Sequence, residues 1–178
     1  MVSWMLHSFV RIASLVLAVA VIATVVAEAA HAKYASIVID VETGEVLYSR
    51  NADTRNYPAS LTKMMTLYMA FDALDSGDWT LDKQLKVSRR AASQPASRLG
   101  LKPGRSITVK QAILGLVTRS ANDVATVIAE NITGSERSFA QHMTAKARKL
   151  GMRRTTFRNA SGLPHRGQLS TARDMARL

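Results

Sequence analysis

Cysteine is absent from the 178 residues, aromatic residues make up 6%, and acidic residues number 13 against 24 lysines and arginines. Without cysteine there can be no disulfide, no thiolate nucleophile and no cysteine zinc site. A domain of roughly 150 residues can form an adequate core without such staples. The four histidines (His7, His31, His142, His165) are scattered without ligand spacing, so no metal or cofactor is expected, and His142 reads as a surface residue on a helix. Scarce aromatics remove the stacking platform that nucleic-acid binders interleave with their basic residues. The net charge of +11 therefore does not predict a nucleic-acid partner. It fits a solvated basic face, or one that meets anionic membrane head groups or cell-wall polymers.

Long apolar runs are also scarce, with one exception near the start. Arg11 precedes an almost unbroken stretch from Ile12 to Ala27, and Ala30-His31-Ala32 places small residues at the −3 and −1 positions of a signal-peptidase site. Residues 1–32 are read as a secretory signal peptide cleaved before Lys33, which places the remainder outside the cytoplasm. A retained single-pass anchor is the alternative. Arg11 and Glu28 are the charged residues of this segment, so the basic excess belongs to residues 33–178.

Downstream, β-branched Ile37, Val38 and Ile39 within Tyr34–Asp40, a turn to Gly44 and a second run from Glu45 to Ser49 predict a hairpin. A helix follows from about Tyr57 to Leu74, stopped at Gly77. Its apolar residues (Leu61, Met64, Met65, Leu67, Tyr68, Met69, Phe71, Leu74) cover most of the circumference, which predicts burial. Gln84–Ser88 is a short strand candidate, and Ala91–Gly104 reads as a long irregular segment. Helices are expected at Val109–Leu116, Asn122–Asn131 and Ser135–Leu150, the last capped by Ser135 and Gly151. Thr171 starts another, with Asp174 three positions on.

Chemistry concentrates at Ser60 and Lys63. Three positions apart on a helix, the two side chains share a face. A serine hydroxyl needs a base within hydrogen-bond reach to act as a nucleophile, and lysine can serve if it is neutral. Burial against Met64 and the cationic helix end would lower its pKa. Pro58 puts Ser60 in the first turn, where unpaired N–H groups favour an oxyanion. Taken alone, this S-x-x-K is equally a capping serine with a solvated lysine behind it. A second element, Ser120-Ala121-Asn122, sits on a tight connection between two predicted helices, where loops carry function on a rigid frame. The rival Ser49-Arg50-Asn51 follows a strand and reads as turn chemistry.

From about Tyr34 to the last residue, the chain resembles the serine D-alanyl-D-alanine carboxypeptidases, the low-molecular-mass penicillin-binding proteins related to class A β-lactamases. Beside the two motifs, the likeness is carried by Asn51-Ala52-Asp53, Tyr57-Pro58-Ala59, Ser97–Gly104 and Thr155–Pro164. The resemblance implies an α/β (α+β) fold of the β-lactamase/transpeptidase type, of which residues 33–178 are the N-terminal part. It also implies a serine hydrolase that removes the terminal D-Ala of peptidoglycan stem peptides ending in D-Ala-D-Ala, and that is acylated by β-lactams. Ser60 would be the nucleophile, Lys63 the base, Ser120 the proton relay and Asn122 the group that holds the substrate amide. The family's third motif, K-T-G, brings the second oxyanion donor and the carboxylate-binding cation, and no K-[ST]-G occurs in these residues. Lacking the strands that follow, the hairpin and one helix face should lie uncovered, and the chain is expected to be a truncated piece of weak or no activity. A class A-like β-lactamase and a non-catalytic basic wall-binding fragment are the other readings. The former carries an acidic deacylation residue that is not identifiable here.

Overall fold

The β-branched run at Ile37–Ile39 finds its partner across a tight turn. In the computed structural model, which describes residues 34–178, β1 (Ser36–Ile39) pairs antiparallel with β2 (Val46–Arg50), with a bulge between Val38 and Ile39. Asp40 fixes the turn: its Oδ1 accepts the N–H of Thr43 at 2.7 Å, the Thr43 hydroxyl at 2.9 Å and the N–H of Glu42 at 3.0 Å. Those bonds, Thr43's foremost, hold the Asp40 carboxyl below its usual pKa. The leader assigned to residues 1–32 lies outside the described residues. Among the described residues, no helix is long and apolar enough to cross a membrane.

A 3-10 turn (Ala59–Leu61) leads into helix α1 (Thr62–Asp75). Burial all round this helix is not what the structure shows. Met65, Met69, Ala70 and Ala73 enter the core, while Met64 and Phe71 remain 42% and 47% exposed, as does Leu61 just before the helix at 53%. Among the described residues, the apolar residues outnumber the surfaces that cover them.

Beyond α1 the chain builds a helical cluster. The pair β3 (Gln84–Lys86) and β4 (Ser106–Thr108) is antiparallel; β3 falls in the strand candidate Gln84–Ser88, whereas β4 lies between the irregular segment and the next helix, where the sequence predicts no strand. Helix α2 (Arg89–Ala92) starts where Ser88 Oγ accepts the Ala91 N–H, and its last two residues enter the stretch expected to be irregular from Ala91. Helix α3 (Val109–Arg119) begins with a reciprocal capping box of Thr108 and Gln111. Helix α4 (Asn122–Thr133) is the hub: it packs on α1, α2, α3, β3 and α5 (Glu136–Lys149), and Asn122 to Ala129 are all buried. Ser135 caps α5 as expected, and its Phe139, Met143 and Ala147 stripe enters the core. Thr171 likewise caps α6 (Ala172–Met175) through the Asp174 N–H.

The tail then returns to the segment ahead of Ser60. Asn56 bridges to Ser170, Arg173 N–H donates to the Ala52 carbonyl, and the Arg173 guanidinium grips Asp53 at 2.9 and 3.1 Å. These contacts give Asn51-Ala52-Asp53 a structural use: they anchor the approach to the 3-10 turn. The architecture is mixed α/β, as the sequence predicts.

Candidate active site

Ser60 is an exposed residue in the middle of the 3-10 turn, and Lys63 is the second residue of α1. Lys63 is not a solvated lysine. It is only 4% exposed, and its Nζ donates to the Ser161 carbonyl at 2.6 Å. One turn further on, Thr66 Oγ1 donates to the Ala160 carbonyl at 2.7 Å, so the loop at 160–161 is sewn along α1. Loss of solvent lowers the Lys63 pKa from 10.5 to about 8. The direction agrees with the sequence reading but the neighbour does not, because Met64 points away from the core. A lysine with a pKa near 8 is partly neutral close to physiological pH, the state in which an amine can accept a proton.

The backbone at Ser60 is held in an uncommon shape. Ala59 has φ +46°, in the left-handed region where non-glycine residues are rare. Gly162, at φ +88°, lies against it: a Cβ built on Gly162 would fall 1.9 Å from the Ala59 carbonyl oxygen and 3.2 Å from the Ser60 nitrogen. Only glycine fits there. Asn159 holds that loop, its Oδ1 accepting the Gly162 N–H at 2.8 Å and its Nδ2 donating to the Leu163 carbonyl at 2.9 Å. Gln168 supports Asn159 in turn, accepting the N–H of Arg158 at 2.8 Å and of Asn159 at 3.0 Å.

Ser120 and Asn122 sit at the two-residue junction of α3 and α4. Ser120 ends α3 in the left-handed conformation, φ 50° and ψ 40°. Asn122 is buried, its N–H donating to the Ser97 carbonyl at 2.7 Å and its Nδ2 to the Pro95 carbonyl at 3.0 Å. The next residue does comparable work: the Asp123 carboxylate accepts the N–H of Leu99, Gly100 and Leu101 at 3.0, 2.9 and 3.1 Å. Residues 95–101 are thus pinned to the start of α4. Helix α1, which carries Lys63, packs on both α3 and α4. Among the described residues, no hydrogen bond joins the side chains of Ser60, Lys63, Ser120 and Asn122 to one another.

Sequence reasoning missed the supporting residues. Ser161 offers Lys63 a carbonyl, which any residue could provide. Glu136 is a buried carboxylate that accepts the Ala160 N–H at 3.2 Å and pairs with Arg90, so the loop is held by α5 as well as by α1. The Gly162 requirement was visible as part of a resembling segment, but its reason was not. Among the described residues, no group of three or more histidines and carboxylates could hold a metal ion.

A family model described as D-alanyl-D-alanine carboxypeptidase (peptidase S11) matches residues 22–178. The chain belongs to this family. It is 40% identical over 149 residues to D-alanyl-D-alanine carboxypeptidase DacF of Bacillus subtilis, covering 84% of this chain and 38% of the relative. Over 148 residues it is 40% identical to DacC of Escherichia coli, covering 80% and 37% of the two chains. The solved D-alanyl-D-alanine carboxypeptidase DacD of Francisella tularensis superposes with a TM-score of 0.79 at 35% identity, over 83% of this chain and 36% of that one. Penicillin-binding protein D2 of Listeria monocytogenes, solved in an ampicillin-bound form, gives 0.66 at 34% identity over 80% and 58%. The carboxypeptidase family thus accounts for the fold, and the chain spans well under half the length of the curated relatives named here.

Proposed function

We propose that this chain supplies the nucleophile, base and relay of a serine D-alanyl-D-alanine carboxypeptidase that trims peptidoglycan stem peptides. Ser60 Oγ attacks the carbonyl carbon of the penultimate D-Ala while Lys63, as the neutral amine, takes the hydroxyl proton. The C–N bond to the terminal D-Ala breaks, and Ser120 relays a proton to the departing amine. Asn122 holds the substrate's amide. Water then hydrolyses the ester on Ser60. The observation that carries this reading is the buried Lys63 beside Ser60, with a pKa lowered to about 8 by loss of solvent. A penicillin would acylate the same serine, since its strained amide presents an equivalent carbonyl.

The reading includes export, with residues 1–32 as leader, and a place of action in the cell envelope, where the basic surface faces anionic head groups or wall polymers. One oxyanion donor is the Ser60 N–H, and the second belongs to a K-T-G strand. Loss of one such donor costs on the order of 10²–10³ in rate in other hydrolases, so these residues alone should acylate slowly. Labelling with a fluorescent penicillin tests both parts. A version extended through a K-T-G strand should label at Ser60 and lose the label in Ser60→Ala. No labelling of that version would defeat the enzyme reading; rapid stoichiometric labelling of the present chain would defeat the expected impairment.

A further inference from the structure

An open cavity of about 720 Å³ lies between α2, α5 and the segment from Phe157 to Gly167. None of Ser60, Lys63, Ser120 or Asn122 lines it. Its walls carry Arg90, Arg137, Arg158 and His165, with Glu136 as their acidic neighbour. Glu136 is already occupied: Oε2 takes the Arg90 guanidinium, and Oε1 takes the Ala160 N–H at 3.2 Å and the Thr126 hydroxyl at 3.5 Å. Arg90 stays 63% exposed in its side chain, so part of its fork remains open to solvent. Among the described residues, Arg137 and Arg158 pair with no carboxylate. The cavity is therefore lined by more positive charge than the protein neutralises.

Local geometry assembles these groups. A Cβ on Gly167 would come 2.8 Å from Arg158 Nε and 3.5 Å from His165 Nδ1, so the absence of a side chain there lets guanidinium and imidazole share one spot. His165 Nδ1 accepts the Gly167 N–H at 3.0 Å, which leaves the proton of the neutral ring on Nε2 as a donor. Guanidinium forks from three separate elements suit a tetrahedral anion, which has oxygens facing several directions. A planar carboxylate is satisfied by one fork.

We propose that this cavity is a binding site for a phosphate or phosphodiester group. The site is independent of the carboxypeptidase reading. Its probe is inorganic pyrophosphate, titrated calorimetrically into the full chain at low salt. Saturable one-to-one binding is expected, weakened about tenfold by Arg137→Gln or Arg158→Gln, as for loss of a charge-assisted contact. Gly167→Ala keeps the charge but displaces Arg158, and should weaken binding severalfold. The pair Lys102→Gln and Arg105→Gln removes two charges elsewhere and should change affinity less than about twofold, since screened distant charges contribute little. Arg137 is exposed on α5, and a circular dichroism spectrum of each variant checks that the fold is retained. No saturable binding, or an equal loss in the distant pair, overturns the proposal. A soluble glycerol phosphate oligomer and phosphatidylglycerol vesicles then separate the sources. Capture of the oligomer assigns a polymer phosphodiester and capture of vesicles alone assigns a lipid head group. Failure of both, like failure with pyrophosphate, overturns the site.

Discussion

At Lys63, burial acts on stability and on chemistry with opposite visibility. The folded-state pKa is about 8 against 10.5 for the free side chain. Below pH 8 both states are protonated, and the full cost of burying the ammonium is present. Between 8 and 10.5 the unfolded chain binds the additional proton, so this residue's contribution makes the fold more stable as pH rises through that window. Urea midpoints should climb from pH 8 towards 10 and climb less in Lys63→Met. Acylation of the extended protein by penicillin should follow a rising limb centred near pH 8, and Lys63→Arg should remove that limb and lower the rate by about 10²–10⁴. Gly162 makes a second residue-scale prediction. Alanine there collides with the Ala59 carbonyl, rotating the peptide whose N–H belongs to Ser60. The acylation rate should fall by about 10²–10³, the worth of one oxyanion donor, while a cooperative melting transition persists. An unchanged rate would show that the Ser60 N–H is not positioned by this contact.

Among the elements, the start of α4 organises the most chain. Asp123 satisfies three consecutive N–H groups of a segment with no regular structure. Asp123→Ala strands them, and should lower stability by about 3 kcal/mol, the scale of hydrogen bonds to a charged group. Urea unfolding measures the loss, and limited proteolysis should cut first between Pro95 and Gly104. The helices and the hairpin were legible because long periodic segments and capping residues such as Ser135 and Thr171 announce themselves locally. Ser60, Lys63, Ser120 and Asn122 stand out as candidates because their spacings are short, and of these the structure adds the burial of Lys63. What escaped was long-range or backbone-mediated. Asp123 looked like an ordinary first-turn acid, though its partners lie more than twenty positions upstream. Lys63 reaches a carbonyl 98 positions away. Strand β4 exists only through its pairing with β3. No local pattern encodes such contacts.

At the scale of the whole molecule, the decisive property is that, among the described residues, α1 is covered unevenly by the core. Adjacent methionines divide the two sides: Met65 is fully buried and Met64 is 42% exposed. Met65→Ala should cost about 2–5 kcal/mol, as deletion of a buried large side chain does. Met64→Ala should stay within about 0.5 kcal/mol, the range for exposed positions. With Leu61 and Phe71, Met64 contributes to apolar surface that soluble proteins rarely leave open in quantity. The hairpin adds Val38, Leu47 and Tyr48 to the exposed apolar residues. Such surface should bind an apolar fluorescent dye in the native state and promote self-association as concentration rises. In a double variant, Met64→Gln with Phe71→Gln, dye fluorescence should drop by about half or more while the melting temperature holds, because those side chains bury little in this chain. A matching fall in both would mean that the face is already packed in solution, and that the helix is buried all round after all.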